Sequence, residues 1–239
     1  HNTTQLLIDD MEVVRQHFAV AAWVLFGGSW GASLALSYAQ RWPARVRGMI
    51  LRGSFLARRD DVAWFFGQGA NRLLPQQWQQ FLEQSGLGSA SDAVAYLHGE
   101  IFSNDPARVA RVARAWEVWS GAVVMFSFDH FSASAGAGGA SDVAIAKARL
   151  EMHYAHNRYF LAEDELLLNA HKLPRVPTTI VHGARDLTCP AEAAWLLHRA
   201  LPGSSLEILR NAGHLSGETP MIDALVRATD EMAKVLAAA

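Results

Sequence analysis

A serine stands at a glycine-rich corner in the segment VLFGGSWGASLALSY, residues 24–38, where an apolar run gives way to a helical pattern. Ser29 lies in the pattern G-x-S-x-G, which places a serine on a sharp turn between a buried strand and a helix. Such a turn exposes the serine hydroxyl, and the start of the helix offers backbone N–H groups to a developing oxyanion. The alternative is a strand-to-helix turn that carries an incidental serine.

A serine hydroxyl is a weak nucleophile unless a base accepts its proton and an acid orients that base. Asp186 in IVHGARDLTCP and His214 in RNAGHLSGE each follow an apolar run that is typical of a strand. Taken alone, Asp186 would be a helix-capping residue and His214 an ordinary loop histidine. Together with Ser29 they have the chain order serine, acid, histidine, on loops that follow strands. The sequence therefore predicts a catalytic triad of Ser29, Asp186 and His214.

The elements that must position these side chains alternate between strand and helix at both ends of the chain. The sequence predicts strands at 23–26, 46–53, 178–183 and 205–210, and helices at 3–18, 30–41, 191–200 and 218–237. A strand, a helix and a strand joined by short links are typical of a parallel sheet with crossovers. The predicted fold class is therefore α/β.

The middle of the chain lacks this alternation. Segments such as PQQWQQFLEQ, PARVARVARAWEVWSGAV and DVAIAKARLEMHYAHNRYF have helical periodicity, with no strand pattern between them. The Ser/Ala/Gly tract at 132–141 is predicted to be a mobile loop. We predict a first part of the α/β core over 1–53, a helical cap over 54–172 and a second part of the core over 173–239.

The composition argues against several functional classes. The 239 residues carry a formal net charge of -2, and Lys and Arg are scattered, so nucleic acid is not expected as a partner. No apolar run has the length of a membrane span, and no signal peptide opens the chain. The single cysteine, Cys189, fits a reducing compartment, so we predict a cytoplasmic protein. His153 and His156 lack further residues at metal-ligand spacing, and neither a metal nor another cofactor is predicted.

Several motifs together suggest a family. They are NTT (2–4), FGGSWGASLALSYAQRWP (26–43), LRGSF (51–55), WFF-GQGA (64–70), LEMHY (150–154), HGARDLTCP (182–190) and AGHLSGE (212–218). With them the chain resembles the prolyl aminopeptidase (proline iminopeptidase) family of α/β-hydrolases from its first residues to its last helix. The resemblance implies an eight-stranded α/β-hydrolase core with an inserted helical cap. It also implies a serine exopeptidase that releases amino-terminal proline from short peptides.

The resemblance also indicates what this sequence lacks. The family carries an HGGPG loop and a DQRG segment upstream of NTT, and neither motif occurs here. Because the first residue is His1 rather than Met, we expect a piece of a longer polypeptide, with the missing amino-terminal segment and its strands as a partner. In the family the HGGPG loop supplies half of the oxyanion hole. The backbone N–H of Trp30, which follows the nucleophile, is implied as the other half.

Two glutamates are implied as binding groups for the charged amino terminus of a substrate. The family's cap carries one glutamate in a motif similar to LEMHY, here Glu151, and one in a stretch AWSxWEG. Here that stretch reads AWEVWSG, with Ser120 at the glutamate position and Glu117 three residues earlier. Residues i and i+3 of a helix lie on neighbouring parts of one face, so Glu117 is the candidate replacement. The alternative is a solvated Glu117, and the exchange weakens the case for strict proline specificity.

Other residues match pocket-lining positions of the family, namely Arg52, Phe55, Trp64, Phe65 and Phe66. Aromatic side chains around an apolar slot suit a pyrrolidine ring. For each aromatic residue, packing in the core is the alternative interpretation.

Three functions fit these residues. The first is a serine exopeptidase specific for amino-terminal proline or a similar small residue. The second is an esterase or amidase that kept the scaffold and lost the amine anchor, which Ser120 favours and Glu151 opposes. The third is a catalytically silent binding protein, against which the complete set of Ser29, Asp186 and His214 argues. The sequence favours the exopeptidase.

Overall fold

The structure is a computed structural model that describes residues 2–88, 92–128 and 140–238. The chain divides into two compact units. We call the first, His1–Asp61 with Leu161–Ala239, the sheet unit, and the second, Val62–Phe160, the helical unit. The helical unit is shorter than the predicted cap at 54–172, and the predicted domain bounds stay a prediction. Most of the predicted loop at 132–141 lies outside the described residues.

The sheet unit contains a four-stranded parallel sheet among the described residues. Its strands are β1 (Trp23–Gly28), β2 (Val46–Arg52), β3 (Thr178–Gly183) and β4 (Ser205–Leu209), paired in the order β1-β2-β3-β4. Each corresponds to a strand predicted from sequence, and the α/β class with a parallel sheet is confirmed. The resemblance implied eight strands, and the described residues form four.

The helices are numbered in chain order. They are α1 (Thr4–His17), α2 (Trp30–Arg41), α3 (Arg59–Ala63), α4 (Ala70–Leu73), α5 (Pro75–Ser85), α6 (Ala93–Ile101), α7 (Pro106–Val124), α8 (Asp142–His156), α9 (Glu165–Leu168), α10 (Ala191–Ala200) and α11 (Thr219–Ala237). Short 3-10 turns lie at Pro43–Arg45, Arg158–Phe160 and Ala170–Lys172, and a π-helical turn lies at Trp64–Gln68. None of the helices in the described part of the chain combines the length and the apolar character that a membrane crossing requires.

Helix α11 packs its apolar face on the central strands. Buried Met221, Ala224, Leu225, Ala228 and Met232 recur at helical spacing and form one cluster with side chains of β2 and β3. Burial of a Met or Leu side chain contributes about 1.5–3 kcal/mol to folding. This cluster therefore holds α11 against β2 and β3, the two central strands of the sheet.

A buried ionic network joins α1 to α2. Arg15 Nε and Nη2 donate to the Glu12 carboxylate at 2.9 and 2.5 Å, and Tyr38 Oη donates to Glu12 Oε2 at 2.8 Å. Arg15 Nη1 also donates to the carbonyl of Val20, just before β1. The hydrogen bond from Arg15 lowers the pKa of Glu12 to about 2, against the opposing effect of burial. Burial, followed by the bond to Glu12, raises the pKa of Tyr38 to about 12.

The helical unit is built around large aromatic side chains. Trp78 and Phe81 of α5 contact Trp119 of α7 with ring centroids 4.9 and 6.0 Å apart. Trp119 is fully buried, and its Nε1 donates to the carbonyl of Phe65 at 3.2 Å. Aromatic pairs in such offset and tilted arrangements contribute about 0.5–1.5 kcal/mol beyond the area they bury.

The Glu12 network generates a pH prediction for stability. The pKa of Glu12 is about 2 in the folded protein and 4.5 by its ordinary value, so its ionisation stabilises the fold above about pH 4.5. That contribution is lost as the pH falls from 4.5 towards 2. We expect Glu12→Gln to be less stable than the native protein at pH 7, with a smaller difference at pH 3.

Urea unfolding at pH 7, 5 and 3 measures this effect. The control is Asp230→Asn, which removes an acidic charge from an exposed position of α11. It should leave the pH dependence of the unfolding free energy close to that of the native protein. Parallel stability curves for the native protein and Glu12→Gln would contradict the expectation.

Candidate active site

Ser29 lies at a strained corner between β1 and α2. Its backbone has φ 55° and ψ -125°, a conformation with positive φ that non-glycine residues rarely adopt. Its N–H donates to the carbonyl of Arg52 at 2.9 Å, and its own carbonyl accepts from Ala32 N at 2.9 Å. At Gly27 a Cβ atom would overlap the carbonyl of Gly31, so only glycine lets strand and helix approach this closely. The corner therefore has the geometry of a nucleophile elbow.

The structure brings Asp186 and His214 together in the sheet unit. His214 Nδ1 lies 2.8 Å from Asp186 Oδ2, and the two residues are only 8% and 7% exposed. Asp186 Oδ1 accepts from the backbone N–H groups of Thr188 and Cys189 at 2.9 and 2.8 Å. Gly53, with φ +51°, lies against this pair, since a Cβ there would be 3.2 Å from Asp186 Oδ2. Both carboxylate oxygens are thus engaged, and no hydrogen bond to His214 Nε2 is formed among the described residues.

The hydroxyl of Ser29 faces the loop that carries Asp186. Its Oγ lies 4.0 Å from Cys189 Sγ, a contact in which either atom could donate. Among the described residues, Ser29 Oγ forms no hydrogen bond with His214 in this structure. The assignment of Ser29, Asp186 and His214 as catalytic residues stays a prediction at this point.

Two further side chains hold the loop of His214. Glu218 accepts from the N–H groups of Gly213 and Leu215, which flank His214, at 2.8 and 3.1 Å. Arg52 Nη1 donates to the carbonyl of His214, and the Arg52 guanidinium lies against Gly28. Burial lowers the pKa of Arg52, opposed by the nearby Asp186, Cys189 and Glu218.

The predicted pocket residues fall into both units. In the sheet unit, Arg52 binds the His214 backbone, and half-buried Phe55 accepts a hydrogen bond on its carbonyl from Ser33 Oγ. In the helical unit, Phe65 and Glu151 contact the same side chain, Trp116. The ring of Phe65 lies 5.5 Å from that of Trp116, and Trp116 Nε1 donates to Glu151 Oε2 at 2.6 Å.

Glu117 differs from Glu151 in its surroundings. Glu117 is exposed, and no side chain among the described residues binds its carboxylate; its carbonyl accepts from Ser120 Oγ at 3.4 Å. Glu151 has Lys147 Nζ 3.8 Å from Oε1, and its side chain is 39% exposed. Burial raises the pKa of Glu151, opposed by the Trp116 hydrogen bond and by Lys147.

Several residues of the site were not singled out from sequence. They are Gly53, Trp116, Glu218 and also His182, whose Nε2 lies 2.7 Å from the carbonyl oxygen of Cys189. His182 and Glu218 lie inside the motifs HGARDLTCP and AGHLSGE, and Gly53 lies inside LRGSF, so their place in these motifs was the available signal. Among the described residues, no group of three or more His, Cys, Asp or Glu side chains could hold a metal ion. The predicted absence of a metal stays a prediction.

Comparisons with known proteins agree on one class. A family model for the alpha/beta hydrolase fold matches residues 2–219. The chain is similar to an alpha/beta fold family hydrolase from Bacillus anthracis str. Sterne, with a TM-score of 0.58 and 14% identity, over 96% of this chain and 74% of that one. At this identity the likeness shows the fold alone. The chain is an α/β-hydrolase.

The relatives narrow this class to a family. The chain is 42% identical to the proline iminopeptidase of Xanthomonas citri, over 97% of this chain and 74% of that protein. It is 39% identical to the probable proline iminopeptidase of Leptolyngbya boryana, over 96% and 71% of the two chains. It therefore belongs to the prolyl aminopeptidase (proline iminopeptidase) family. The predicted class of enzyme, a serine hydrolase of the prolyl aminopeptidase type, is confirmed.

The contact between Cys189 and Ser29 generates a chemical prediction. Cys189 is 3% exposed, and burial raises the pKa of its thiol well above the ordinary value, so reagents should reach and react with it slowly. An adduct on Sγ would occupy the space beside Ser29 Oγ, 4.0 Å away, and displace the Asp186 loop. We expect slow inactivation by mercurials and slower inactivation by bulky maleimides.

Because Cys189 is the only cysteine, Cys189→Ser is a complete control for thiol chemistry. We expect this variant to keep most of the hydrolase activity and to lose the sensitivity to mercurials. Inactivation rates of both proteins at equal reagent concentration measure the difference. A native protein that resists mercurials, or an inactive Cys189→Ser, would contradict the placement of this thiol.

Proposed function

We propose that this protein is a serine exopeptidase that releases proline, or a similar small residue, from the amino terminus of short peptides. Ser29 would be the nucleophile, His214 the general base and Asp186 the residue that orients His214. One observation carries the proposal. A serine on a strained strand-to-helix corner lies beside the loop of an aspartate that is hydrogen-bonded to a buried histidine, at 2.8 Å.

The proposed reaction has two steps. Ser29 Oγ attacks the carbonyl carbon of the first residue while His214 Nε2 takes the hydroxyl proton, and Nδ1–H stays bound to Asp186 Oδ2. Collapse of the tetrahedral intermediate breaks the C–N bond, and His214 returns the proton to the leaving amine. A water molecule then hydrolyses the acyl-enzyme with His214 again as base. In enzymes without substrate such hydrogen bonds are often long, so the absence of a Ser29–His214 bond here does not oppose the scheme.

The oxyanion would be bound at the start of α2. Trp30 is the first residue of that helix, directly after Ser29. In a nucleophile elbow the N–H of this residue points at the developing oxyanion, and the positive end of the helix dipole adds to its stabilisation. One such donor contributes about 2.7–4 kcal/mol to the transition state.

Glu151 would bind the ammonium group of the substrate. Its carboxylate is fixed by Trp116 Nε1 and is paired only loosely with Lys147, at 3.8 Å, so a closer cation could replace the lysine. The Trp116 ring that binds this carboxylate packs against the flat apolar rings of Phe65 and Phe66, at centroid distances of 5.5 and 4.9 Å. A secondary amine in a five-membered ring offers both a charge and an apolar face to such a set.

A second candidate is an esterase or amidase without a strict amine anchor. Ser120 stands where the resemblance has a glutamate, and its neutral hydroxyl supplies no negative charge. It is 3% exposed and donates to the carbonyl of Glu117. Glu117 is exposed and unbound by any described side chain. A substrate would then meet one carboxylate, Glu151, in place of two.

The cytoplasm stays the predicted location of the protein, because its single cysteine fits a reducing compartment.

Replacement of Ser29 tests the nucleophile. We expect Ser29→Ala to lower kcat by about 10⁴-fold or more and to abolish labelling by serine-directed phosphonates, because the variant lacks the hydroxyl that would form the acyl-enzyme. The matched control is Ser37→Ala in α2, the helix that follows Ser29; it removes a buried hydroxyl that has no hydrogen-bond partner among the described residues. It should retain activity and labelling. Labelling that persists in Ser29→Ala would exclude Ser29 as the nucleophile.

A pair of glutamate variants separates the two candidate functions. In the purified full-length protein we compare proline arylamide, alanine arylamide and a short-chain aryl ester. For an exopeptidase, Glu151→Gln should lower kcat/KM for proline arylamide about 10–100-fold, since hydrogen bonds to charged groups contribute about 1.5–3 kcal/mol. The same variant should leave the ester nearly unchanged, and Glu117→Gln should affect neither substrate. Ester hydrolysis that exceeds arylamide hydrolysis and ignores Glu151→Gln would favour the esterase.

A further inference from the structure

A buried histidine that the proposed mechanism does not use lies beside the Asp186 loop. His182 is part of β3, and its side chain is fully buried. Its Nε2 lies 2.7 Å from the carbonyl oxygen of Cys189 and 3.6 Å from Asp186 Oδ2. Its Nδ1 is also buried, and no hydrogen-bond partner for it exists among the described residues.

The contacts determine where His182 carries its proton. A carbonyl oxygen can only accept a hydrogen bond, so Nε2 must be the donor to Cys189. Burial lowers the pKa of His182, with opposing effects from Asp186 and the Cys189 carbonyl. A proton on Nδ1 would be buried without an acceptor among the described residues, so the contacts favour the tautomer with its proton on Nε2. A buried nitrogen without a hydrogen-bond partner is unfavourable for folding. An apolar side chain of similar size would avoid that penalty but would lose the hydrogen bond that Nε2–H donates to Cys189.

The Nε2–H of His182 binds Cys189, the residue whose own backbone N–H binds Asp186. Cys189 accepts from His182 on its carbonyl and donates its N–H to Asp186 Oδ1 at 2.8 Å. The other carboxylate oxygen, Oδ2, accepts from His214 at 2.8 Å. A displacement of the Cys189 backbone would therefore move the Asp186 carboxylate relative to His214. Misplacement of a catalytic group by about 1 Å can lower a rate about a hundredfold.

We propose that His182 is a positioning residue for the acid of the site, whose Nε2–H holds the Cys189 carbonyl and thereby sets the Asp186 carboxylate against His214. The inference rests on the proposed function, because it assumes that the Asp186–His214 pair works in catalysis. His182 touches neither substrate nor the reacting atoms in this scheme. The same Nε2 lies 3.6 Å from Asp186 Oδ2, beyond hydrogen-bonding distance, so its hydrogen bond is made to Cys189.

Three variants of His182 separate positioning from simple packing. In His182→Gln the amide nitrogen lies near the place of Nε2, so the donor to Cys189 is kept. In His182→Phe the size of the ring is kept and the donor is lost. His182→Asn also loses the donor, because its shorter amide does not reach Cys189, and it serves if the phenylalanine variant does not fold. The matched control is His198→Gln in α10, where Nδ1 lies 2.8 Å from Ser204 Oγ.

Two readouts are measured on the purified full-length protein. The first is the separate change of kcat and KM for proline arylamide. The second, which needs no turnover, is the proton resonance of His214 Nδ1–H, whose low-field position reports the hydrogen bond to Asp186. We expect His182→Phe and His182→Asn to lower kcat about 10–100-fold, with KM changed less than about threefold, and to shift the resonance upfield. His182→Gln should restore kcat to within about threefold of the native value, and His198→Gln should change neither readout.

The outcomes distinguish this inference from the proposed function. An unchanged His214 Nδ1–H resonance in both donor-loss variants would overturn the positioning role. So would a kcat loss in His182→Gln as large as that in His182→Phe, because the donor would then not be the cause. A shifted resonance with an unchanged kcat would support the positioning of Asp186 by His182 and would instead refute a catalytic role of the Asp186–His214 pair.

Discussion

The parallel register of the central strands is the constraint on which the rest of the site depends. Gly28 at the end of β1 pairs with Arg52 at the end of β2, and Arg52 pairs with Val181 in β3. Parallel strands end at the same edge of a sheet, so the loops that follow them meet there. At Gly183 a Cβ would overlap the carbonyls of Ala212 and Gly213, so the chain after β4 can pass directly beside the end of β3. The loops of Asp186 and His214 are neighbours for this reason.

Hydrogen bonds between side chains and backbone groups fix the aspartate and the histidine of this site. Asp186 is held by two N–H groups of its own loop, and the His214 loop is held by Glu218 on both sides and by Arg52 on its carbonyl. The guanidinium of Arg52 is the cation among these groups, and the nearby Asp186 and Glu218 oppose the effect of its burial on its pKa. Such a set of hydrogen bonds keeps the Asp186–His214 pair in one geometry, which the proposed catalysis requires.

The helical unit presents a different kind of arrangement. Its aromatic side chains pack on one another, and one of them, Trp116, also donates a hydrogen bond from Nε1 to the Glu151 carboxylate. A buried tryptophan usually finds a partner for its N–H, and here that partner is a carboxylate with a partly exposed side chain. The carboxylate is thereby held in a fixed orientation next to apolar rings. This combination suits recognition of a cation that has an apolar body.

The sequence by itself determined the features that depend on local patterns. The α/β class, the four strands, the flanking helices and the corner at Ser29 followed from periodicity and from glycine-rich turn chemistry, and the structure contains them. The chain order of Ser29, Asp186 and His214 likewise needed no coordinates. These properties arise within a few residues, because helix and strand periods and turn preferences are set by neighbouring side chains.

Only the tertiary structure decided how distant residues meet. Cys189 and Ser29 are 160 positions apart, and Arg52 and the His214 carbonyl are 162 apart, so no local pattern could have paired them. The resemblance implied Glu151, and the helical spacing to Ser120 made Glu117 a candidate replacement for the second glutamate. In the structure Glu117 is exposed, and Glu151 is bound by Trp116. The contact of His182 with the Cys189 carbonyl likewise depends on how the loop after β3 packs on that strand. Such contacts depend on which surfaces the whole chain buries, and that is a property of the complete fold.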